Sequence, residues 1–354
     1  MSPSPSVPAV SPASGPVPAP DGGPHAAPVR RRRRHVLRRL LVAALLAVLL
    51  VVGLVGAYGV HLARTFDEDR TAVAVEGLAD AGDGAVNILL LGSDTRAEGE
   101  ATTEAGGRAD TIMLLHIPAD GGAPTVISIL RDSYVDIPGY GESKVNAALS
   151  RGGLPLMVDT VEELLGVPIH HVAEVDFQGF EGLTDAVGGV EVDNPQEFTV
   201  GTADPTTFAA GEIELDGAEA LQYVRERHAF AQGDLMRVQN QQRYVTGLLD
   251  RITDPAVLLD PSRTTDAVSA LSTYLTVDED LTGAEIASLV WRLRGVADED
   301  VQMLTVPVAG YATTADGQSV VELDDAGMQE LRDALQADDL DAYAADHADA
   351  STAG

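Results

Sequence analysis

Three arginines and a glutamine stand out in "YVRERHAFAQGDLMRVQNQQRY", Tyr223 to Tyr244. Arg225 and Arg227 are spaced i, i+2, so an extended segment turns both to one side and Glu226 to the other. Arg237 and Gln241 are spaced i, i+4, which aligns them on one helical face. Guanidinium forks bind phosphate oxygens bidentately, and a glutamine amide donates one further hydrogen bond. The same residue types also suit exposed ion pairs, each worth only about 0–1 kcal/mol. Arg243 lies six residues past Arg237, off its helical face, and reads as structural. Arg131 in "SILRDSYVDI" follows an apolar run directly; it stands at a strand's rim or pairs with Asp132. Asp94 in "LLLGSDTRAEG" ends one predicted strand, and Asp110 in "GRADTIMLL" opens the next. Together the two carboxylates can share Mg²⁺, which takes a few carboxylates with waters and phosphates; separately, each caps a turn. Lys144 in "GYGESKVNAAL" is the sole lysine against 22 arginines, either a position suited to a compact ammonium or one surviving exposed lysine.

Other chemistries are excluded. There is no cysteine, hence no disulfide or thiolate metal site. No GxxxxGK phosphate loop, GxSxG elbow or zinc spacing occurs. His170 and His171 are adjacent and face opposite ways on a strand, so they form no metal pair.

The elements that must position these residues are readable. Val86–Leu91, Thr111–Ile117 and Thr125–Leu130 are near-continuous apolar runs bounded by Gly, Pro and Asp, the pattern of strands buried on both faces. Amphipathic helices are predicted over Leu154–Leu165 and Phe177–Val187, with strands at "HHVAEVDF" and "GGVEVDN". Asp216 and Asp234 are placed to cap the helices that carry the arginines. Helices near 264–275, 282–294 and 325–344 follow, with a strand at "VQMLTVPV"; the acidic, Ala-rich chain after about 335 should fray. Strands alternating with helices predict a three-layer α/β/α domain with a mostly parallel or mixed central sheet.

Ahead of it lies a different kind of chain. Residues 1–35 are a Pro/Ala-rich segment ending in an arginine run, too poor in apolar side chains to fold. Within 36–60, the uncharged Leu40–Val60 spans about 31 Å as a helix, matching a hydrocarbon core of about 30 Å. Seven arginines precede it and only His61 and Arg64 follow closely, which places the N-terminus in the cytoplasm and the rest outside. Residues 61–84 read as a linker, 85–320 as the main extracytoplasmic domain, and 321–354 as an acidic C-terminal helix and tail. The net charge is −32, and only Asp21 of the 55 acidic residues lies before the apolar run. So acidic a domain is no general binder of nucleic acid, and any phosphate site must be local.

Taken together, "NILLLGSDTR", "GRADTIML", "ISILRDSYVDIPGYGESKVNAA", "GGVEVDNP", "LDGAEALQYVRERH" and "GDLMRVQNQQ" resemble, in order, the LytR–CpsA–Psr family of cell-envelope proteins. The resemblance implies an α/β/α fold and the transfer of a glycopolymer from a polyprenyl-pyrophosphate carrier to peptidoglycan, as a phosphodiester on the 6-hydroxyl of N-acetylmuramic acid. It implies Asp94 and Asp110 as ligands of Mg²⁺ or another divalent ion, and Arg131, Arg225, Arg227, Arg237 and Gln241 as the pyrophosphate site. Lys144 falls in a family motif beside them. Asp94 is also the candidate base, and an apolar pocket should hold the polyprenyl tail. A pyrophosphate hydrolase or polymer-binding protein would use the same pocket; a membrane-bound transcriptional attenuator needs the domain in the cytoplasm. The Arg-over-Lys bias points to a GC-rich, actinobacterial-type genome.

Overall fold

The strand β2 (Val86–Ser93) sends alternate side chains into two separate cores, as its two-residue period requires. Leu89 and Leu91 enter one, Val86 and Ile88 the other. The computed structural model describes residues 54, 56–82, 84–93, 109–201, 205–227, 229–230, 233–254, 260–294, 296 and 301–351. The chain divides after Gly56, and nearly all of these residues belong to the second unit, Ala57–Gly354. Most of the apolar run 36–60 is outside the described residues, and among the described residues no helix is long and apolar enough to cross a membrane.

β2 shares its sheet with β1 (Thr71–Val73), β3 (Ala109–Ile117), β4 (Thr125–Ile129), β7 (His171–Asp176), β12 (Leu275–Asp278) and β13 (Gln302–Thr305). They form one seven-stranded sheet of order β1-β12-β7-β2-β3-β4-β13. It is mixed: β2–β7, β1–β12 and β4–β13 are parallel, and β2–β3, β3–β4 and β7–β12 antiparallel. One face carries α2 (Ala147–Leu165) and α8 (Asp325–Ala337), whose Met157, Val161, Leu331 and Leu335 meet Leu89, Ile112 and Ile127. On the other, Phe66 of α1 (residues 57–69) and Leu289 of α7 (Gly283–Arg292) pack on Ile88, Ile117 and Val277. The expected α/β layering is present, with a mixed sheet.

A third cluster stands beside the sheet. It joins α3 (Phe177–Ala186), α4 (Gly217–Arg225), α5 (Gly233–Thr253) and the ribbon of β8 (Val190–Asn194) with β11 (Gly211–Leu215). Three further antiparallel hairpins complete the rim: β5 (Tyr134–Ile137) with β6 (Gly141–Lys144), β9 (Phe198–Val200) with β10 (Thr206–Phe208), and β14 (Val308–Thr313) with β15 (Ser319–Leu323).

Several expectations need correction. Residues 61–84 are no mere linker: α1 buries Phe66, β1 forms the sheet edge, and Arg70 donates to the carbonyls of Asp278, Glu279 and Leu281. A three-residue strand is too short to show periodicity. Where the chain after 335 is expected to fray, the described residues to 351 are mostly helical. Asp338 takes a left-handed turn (φ 55), and α9 (Leu340–Ser351) follows, with Leu340 buried. The helix expected from Leu154 begins at Ala147; Gly153 (φ 67, ψ −159) and Pro155 break it, which hides its first turn from the pattern. The helix expected after Asp234 is α5 (Gly233–Thr253), and the side chain of Asp234 lies outside the described residues. The helix predicted near 264–275 is present as α6 (Pro261–Tyr274), and β12, which the sequence pattern does not predict, follows it directly.

Candidate functional site

Register builds the centre of the site. Antiparallel β3 and β4 pair Ile112 with Ile129, so two residues further out Asp110 stands against Arg131. Arg131 Nη1 donates a charge-assisted hydrogen bond to Asp110 Oδ1. A bulge aims the carboxylate: Gly92 pairs with Thr111 and Ser93 with Ala109, leaving Asp110 as the extra residue. Glycine suits position 92, since a Cβ there would lie 3.0 Å from Thr111 Cβ and that neighbour would have to give way.

From Arg131 an alternating row of charge runs outward. Arg131 Nε is 3.5 Å from Asp132 Oδ2, and Lys144 Nζ is 2.8 Å from Asp132 Oδ1. The β5–β6 hairpin folds back to bring Lys144 here, tied by Asn146 N to Arg131 O (3.2 Å) and Val145 N to Ser133 O (2.9 Å). Both readings of Arg131 therefore hold at once: it reaches the strand rim and it pairs with Asp132.

The second wall comes from α4 and α5. Asp216 and Glu219 form a reciprocal capping box that starts α4. The helix stops at Arg225, where Glu226 turns extended (φ −68, ψ 131). Glu226 is buried and accepts from Ala229 N, whereas Arg225 and Arg227 are exposed, which is the i, i+2 separation expected. The Arg225 guanidinium lies 4.1 Å from the Phe177 ring centroid. Amides of α5 satisfy the open carbonyls at the end of α4: Asn240 Nδ2 donates to Tyr223 O (3.3 Å) and Gln241 Nε2 to Val224 O (3.4 Å). Arg237 and Gln241 are buried on that face, 4% and 7% exposed. Arg243 donates to Asn240 and Gln239 and lines neither cavity described next, so it is structural.

Two cavities meet at these residues. One, of about 770 Å³, is polar; Lys144, Asn146, Arg151, Tyr311 and Gln318 line it. The other, of about 750 Å³, is apolar and runs between sheet and helices past Leu90, Met113, Phe180, Tyr244, Leu248 and Leu271. Asp110, Arg131 and Arg227 line both, while Arg225, Arg237 and Gln241 line the apolar one alone. Four cations and two carboxylates face the polar cavity (Arg131, Lys144, Arg151 and Arg227 against Asp110 and Asp132), a local excess of positive charge in an acidic chain. In the apolar wall, burial pushes the Tyr244 phenol up to about 12, against the opposing hydrogen bond with Thr184. Tyr244 therefore stays neutral there at ordinary pH.

Asp94 and the loop that joins it to Asp110 are outside the described residues. Among the described residues no three His, Cys, Asp or Glu side chains gather as a metal site. One carboxylate from Asp110, with Asp94 adjacent in sequence to β2, fits a hard cation that keeps most of its shell for water and substrate, and not an all-protein cage. Sequence reasoning missed Arg151, which reaches Ser143 Oγ (3.2 Å) and sits 5.5 Å from the Tyr140 ring centroid. Its only signal is a charge directly before the Gly152–Gly153 break of α2. The Tyr311 and Gln318 wall, from the β14–β15 hairpin, had none.

Known proteins resemble this chain in sequence and fold. Cell wall biosynthesis protein LcpA of Corynebacterium glutamicum is 33% identical over 287 residues, 69% of this chain and 54% of that protein. The probable cell wall biosynthesis protein LcpB of the same organism is 41% identical over 252 residues, 69% of this chain and 59% of that protein. The polyisoprenyl-teichoic acid–peptidoglycan teichoic acid transferase TagU of Enterococcus faecalis is 38% identical over 167 residues, 47% and 53% of the two chains. The chain thus spans about half the length of the curated relatives it matches. Among solved structures, B. subtilis TagV superposes with a TM-score of 0.60 at 26% identity, covering 73% of this chain and 98% of that one. TagT bound to LI-WTA gives 0.56 at 27%, covering 76% and 96%. The model of the LytR_cpsA_psr family matches residues 58–337, from α1 through both cavity walls to the end of α8, and the chain belongs to that family.

Proposed function

We propose that this chain is a phosphotransferase that moves a glycopolymer from a polyprenyl-pyrophosphate carrier to peptidoglycan, forming a phosphodiester on the 6-hydroxyl of N-acetylmuramic acid. The observation that carries this reading is the junction of a polar and an apolar cavity at Asp110, Arg131 and Arg227. A lipid-linked donor has the same division: an apolar chain, a diphosphate, then a polar glycan. The transferase names of the TagU relatives support the same class of reaction.

In the proposed reaction the acceptor oxygen attacks the glycan-bearing phosphorus. The phosphoanhydride bond breaks, polyprenyl phosphate leaves with the electron pair, and the hydroxyl proton passes to a base, for which Asp94 is the candidate. Such a transfer depends on in-line positioning and charge neutralisation more than on covalent help. Arg131, held between Asp110 and Asp132, is pre-aimed at the junction and needs little reorganisation. Arg227 reaches both cavities; buried Arg237 extends the cationic wall along the apolar side, and Gln241 adds a neutral amide there. Asp94 and Asp110 would hold Mg²⁺, which when bound supplies charge neutralisation at the phosphate oxygens. The Leu40–Val60 run would anchor the domain outside the cell, on the membrane that carries its lipid-linked donor.

Arg131→Ala and Arg227→Ala are each expected to lower transfer from a defined lipid-linked donor to peptidoglycan by about 100- to 1,000-fold, with the thermal unfolding transition retained. Transfer at wild-type rates in both variants would remove this site from the reaction.

A further inference from the structure

Arg151 faces the polar cavity from α2, directly before the Gly152–Gly153 break. The backbone under it is fixed: Ala148 and Leu149 are buried in the core, and Asn146 N donates to Arg131 O (3.2 Å). Its side chain is placed by neutral groups. Arg151 Nη2 donates to Ser143 Oγ (3.2 Å), and the guanidinium carbon lies 5.5 Å from the Tyr140 ring centroid. The cations beside it are held differently, Arg131 by Asp110 and Asp132, and Lys144 by Asp132. Among the described residues no carboxylate forms an ion pair with Arg151. The acidic residues of the hairpin that touches it, Asp136 and Glu142, are cross-strand partners and face away from Ser143. Arg151 is exposed, so most of its guanidinium donors, and its whole charge, are left to a ligand.

Its place in the site says which part of a ligand it would meet. Arg151 lines the polar cavity and not the apolar one, whereas the diphosphate of the proposed reaction belongs at the junction of the two. The anion within its reach is therefore a group carried further along the polar end of the ligand. The rest of the wall suits a saccharide. Asn146, whose side chain makes no capping bond, and Gln318 offer amides, and the Tyr311 ring is 61% exposed. Amides bond sugar hydroxyls, and a tyrosine ring presents an apolar face to the C–H side of a pyranose. The volume of about 770 Å³ falls within the roughly 300–1,000 Å³ of small-ligand sites.

We infer that Arg151 is a specificity-determining residue: in the polar cavity it selects a saccharide that bears a carboxylate or phosphate away from the reacting phosphorus. This rests on the reading of that cavity as the glycan end of the site and adds a charge requirement to it. A guanidinium fork matches either anion with two parallel N–H···O bonds.

Equilibrium binding to the full chain in detergent tests this without turnover. Two pairs of probes are titrated by calorimetry. One is a disaccharide–peptide fragment of peptidoglycan with its carboxylates free or amidated. The other is a polyprenyl-diphosphate-linked disaccharide with or without a glycerol phosphate on its outer sugar. The wild-type chain is expected to prefer the charged member of a pair by about ten-fold. Arg151→Gln should remove that preference, and Arg151→Lys should keep part of it, with the thermal unfolding transition retained in both. Preference in the first pair assigns the anion to the acceptor, and preference in the second to the donor. Failure to prefer the charged member of either pair overturns the inference. So does an equal loss of both members in Arg151→Gln, since a merely structural arginine would weaken charged and neutral saccharides alike. Transfer assayed on the same preparations separates the two readings. No transfer with the charge preference intact refutes the phosphotransferase alone, whereas transfer with no charge preference refutes the selectivity alone.

Discussion

Asp110 is the residue whose role depends most on backbone geometry. As the extra residue of a bulge opposite Arg131, it is delivered to the cavity junction by register and not by its own preference. Asp110→Asn keeps the shape and removes the charge, and transfer should fall while thermal stability changes little, as measured by polymer release from the lipid donor and by calorimetry. The buried tyrosine makes a second residue-level prediction. The phenol of Tyr244 is raised to about 12 in the folded chain, against 10.0 for an ordinary tyrosine. Its contribution to stability is therefore complete below about pH 10 and is lost as pH rises toward 12. Tyr244→Phe should lower stability at neutral pH by about 1 kcal/mol through loss of the Thr184 hydrogen bond, and should remove a step near pH 12 from the tyrosinate absorbance titration. His170 behaves in the opposite sense. Burial, then the neighbouring His171, holds it below 6.5, so its contribution is complete above that value and is lost as the solution is acidified.

At the scale of elements, the arginines owe their placement to close backbone contacts. Gly217 opens α4 against α3, and a Cβ there would come within 2.3 Å of Glu181 O. Gly217→Ala is expected to cost about 1–3 kcal/mol in denaturant unfolding and to displace Arg225 and Arg227, lowering transfer as well. Asp216→Ala, which removes the capping box, should cost about 1 kcal/mol with the arginines still in place. These elements were largely legible: Asp216 before "GAEALQYVR" is a local signal, as are the buried strands "VNILLL" and "TIMLLHI". The parts that escaped have physical causes. β1 is three residues long, the first turn of α2 is hidden behind Gly153 and Pro155, and α9 is set by one buried leucine and a left-handed Asp338 that bonds His116. Arg225, Arg227, Arg237 and Gln241 could be grouped by spacing, but their meeting with Asp110 and Arg131 depends on tertiary packing that no local pattern encodes.

Over the whole molecule, charge and apolar surface are segregated. Acidic residues cover a chain of net charge −32, yet cations outnumber carboxylates along the polar cavity. An anion site of this kind needs only local convergence, because interactions among exposed charges are screened beyond about 10 Å at 0.1 M salt. Substrate binding should therefore weaken less with added salt than that of a protein that attracts a polyanion by its general field, a difference measurable by titrating a prenyl pyrophosphate at increasing ionic strength. The apolar cavity lies directly against this cationic junction, the juxtaposition that the proposed lipid-linked diphosphate donor requires. The most direct test is to incubate the full chain with a defined polyprenyl-pyrophosphate-linked glycan, labelled at the glycan-bearing phosphorus, and peptidoglycan. Label is expected joined to peptidoglycan through a phosphodiester, with polyprenyl phosphate released. Label recovered only as free glycan phosphate would contradict the proposed transfer and identify a hydrolase.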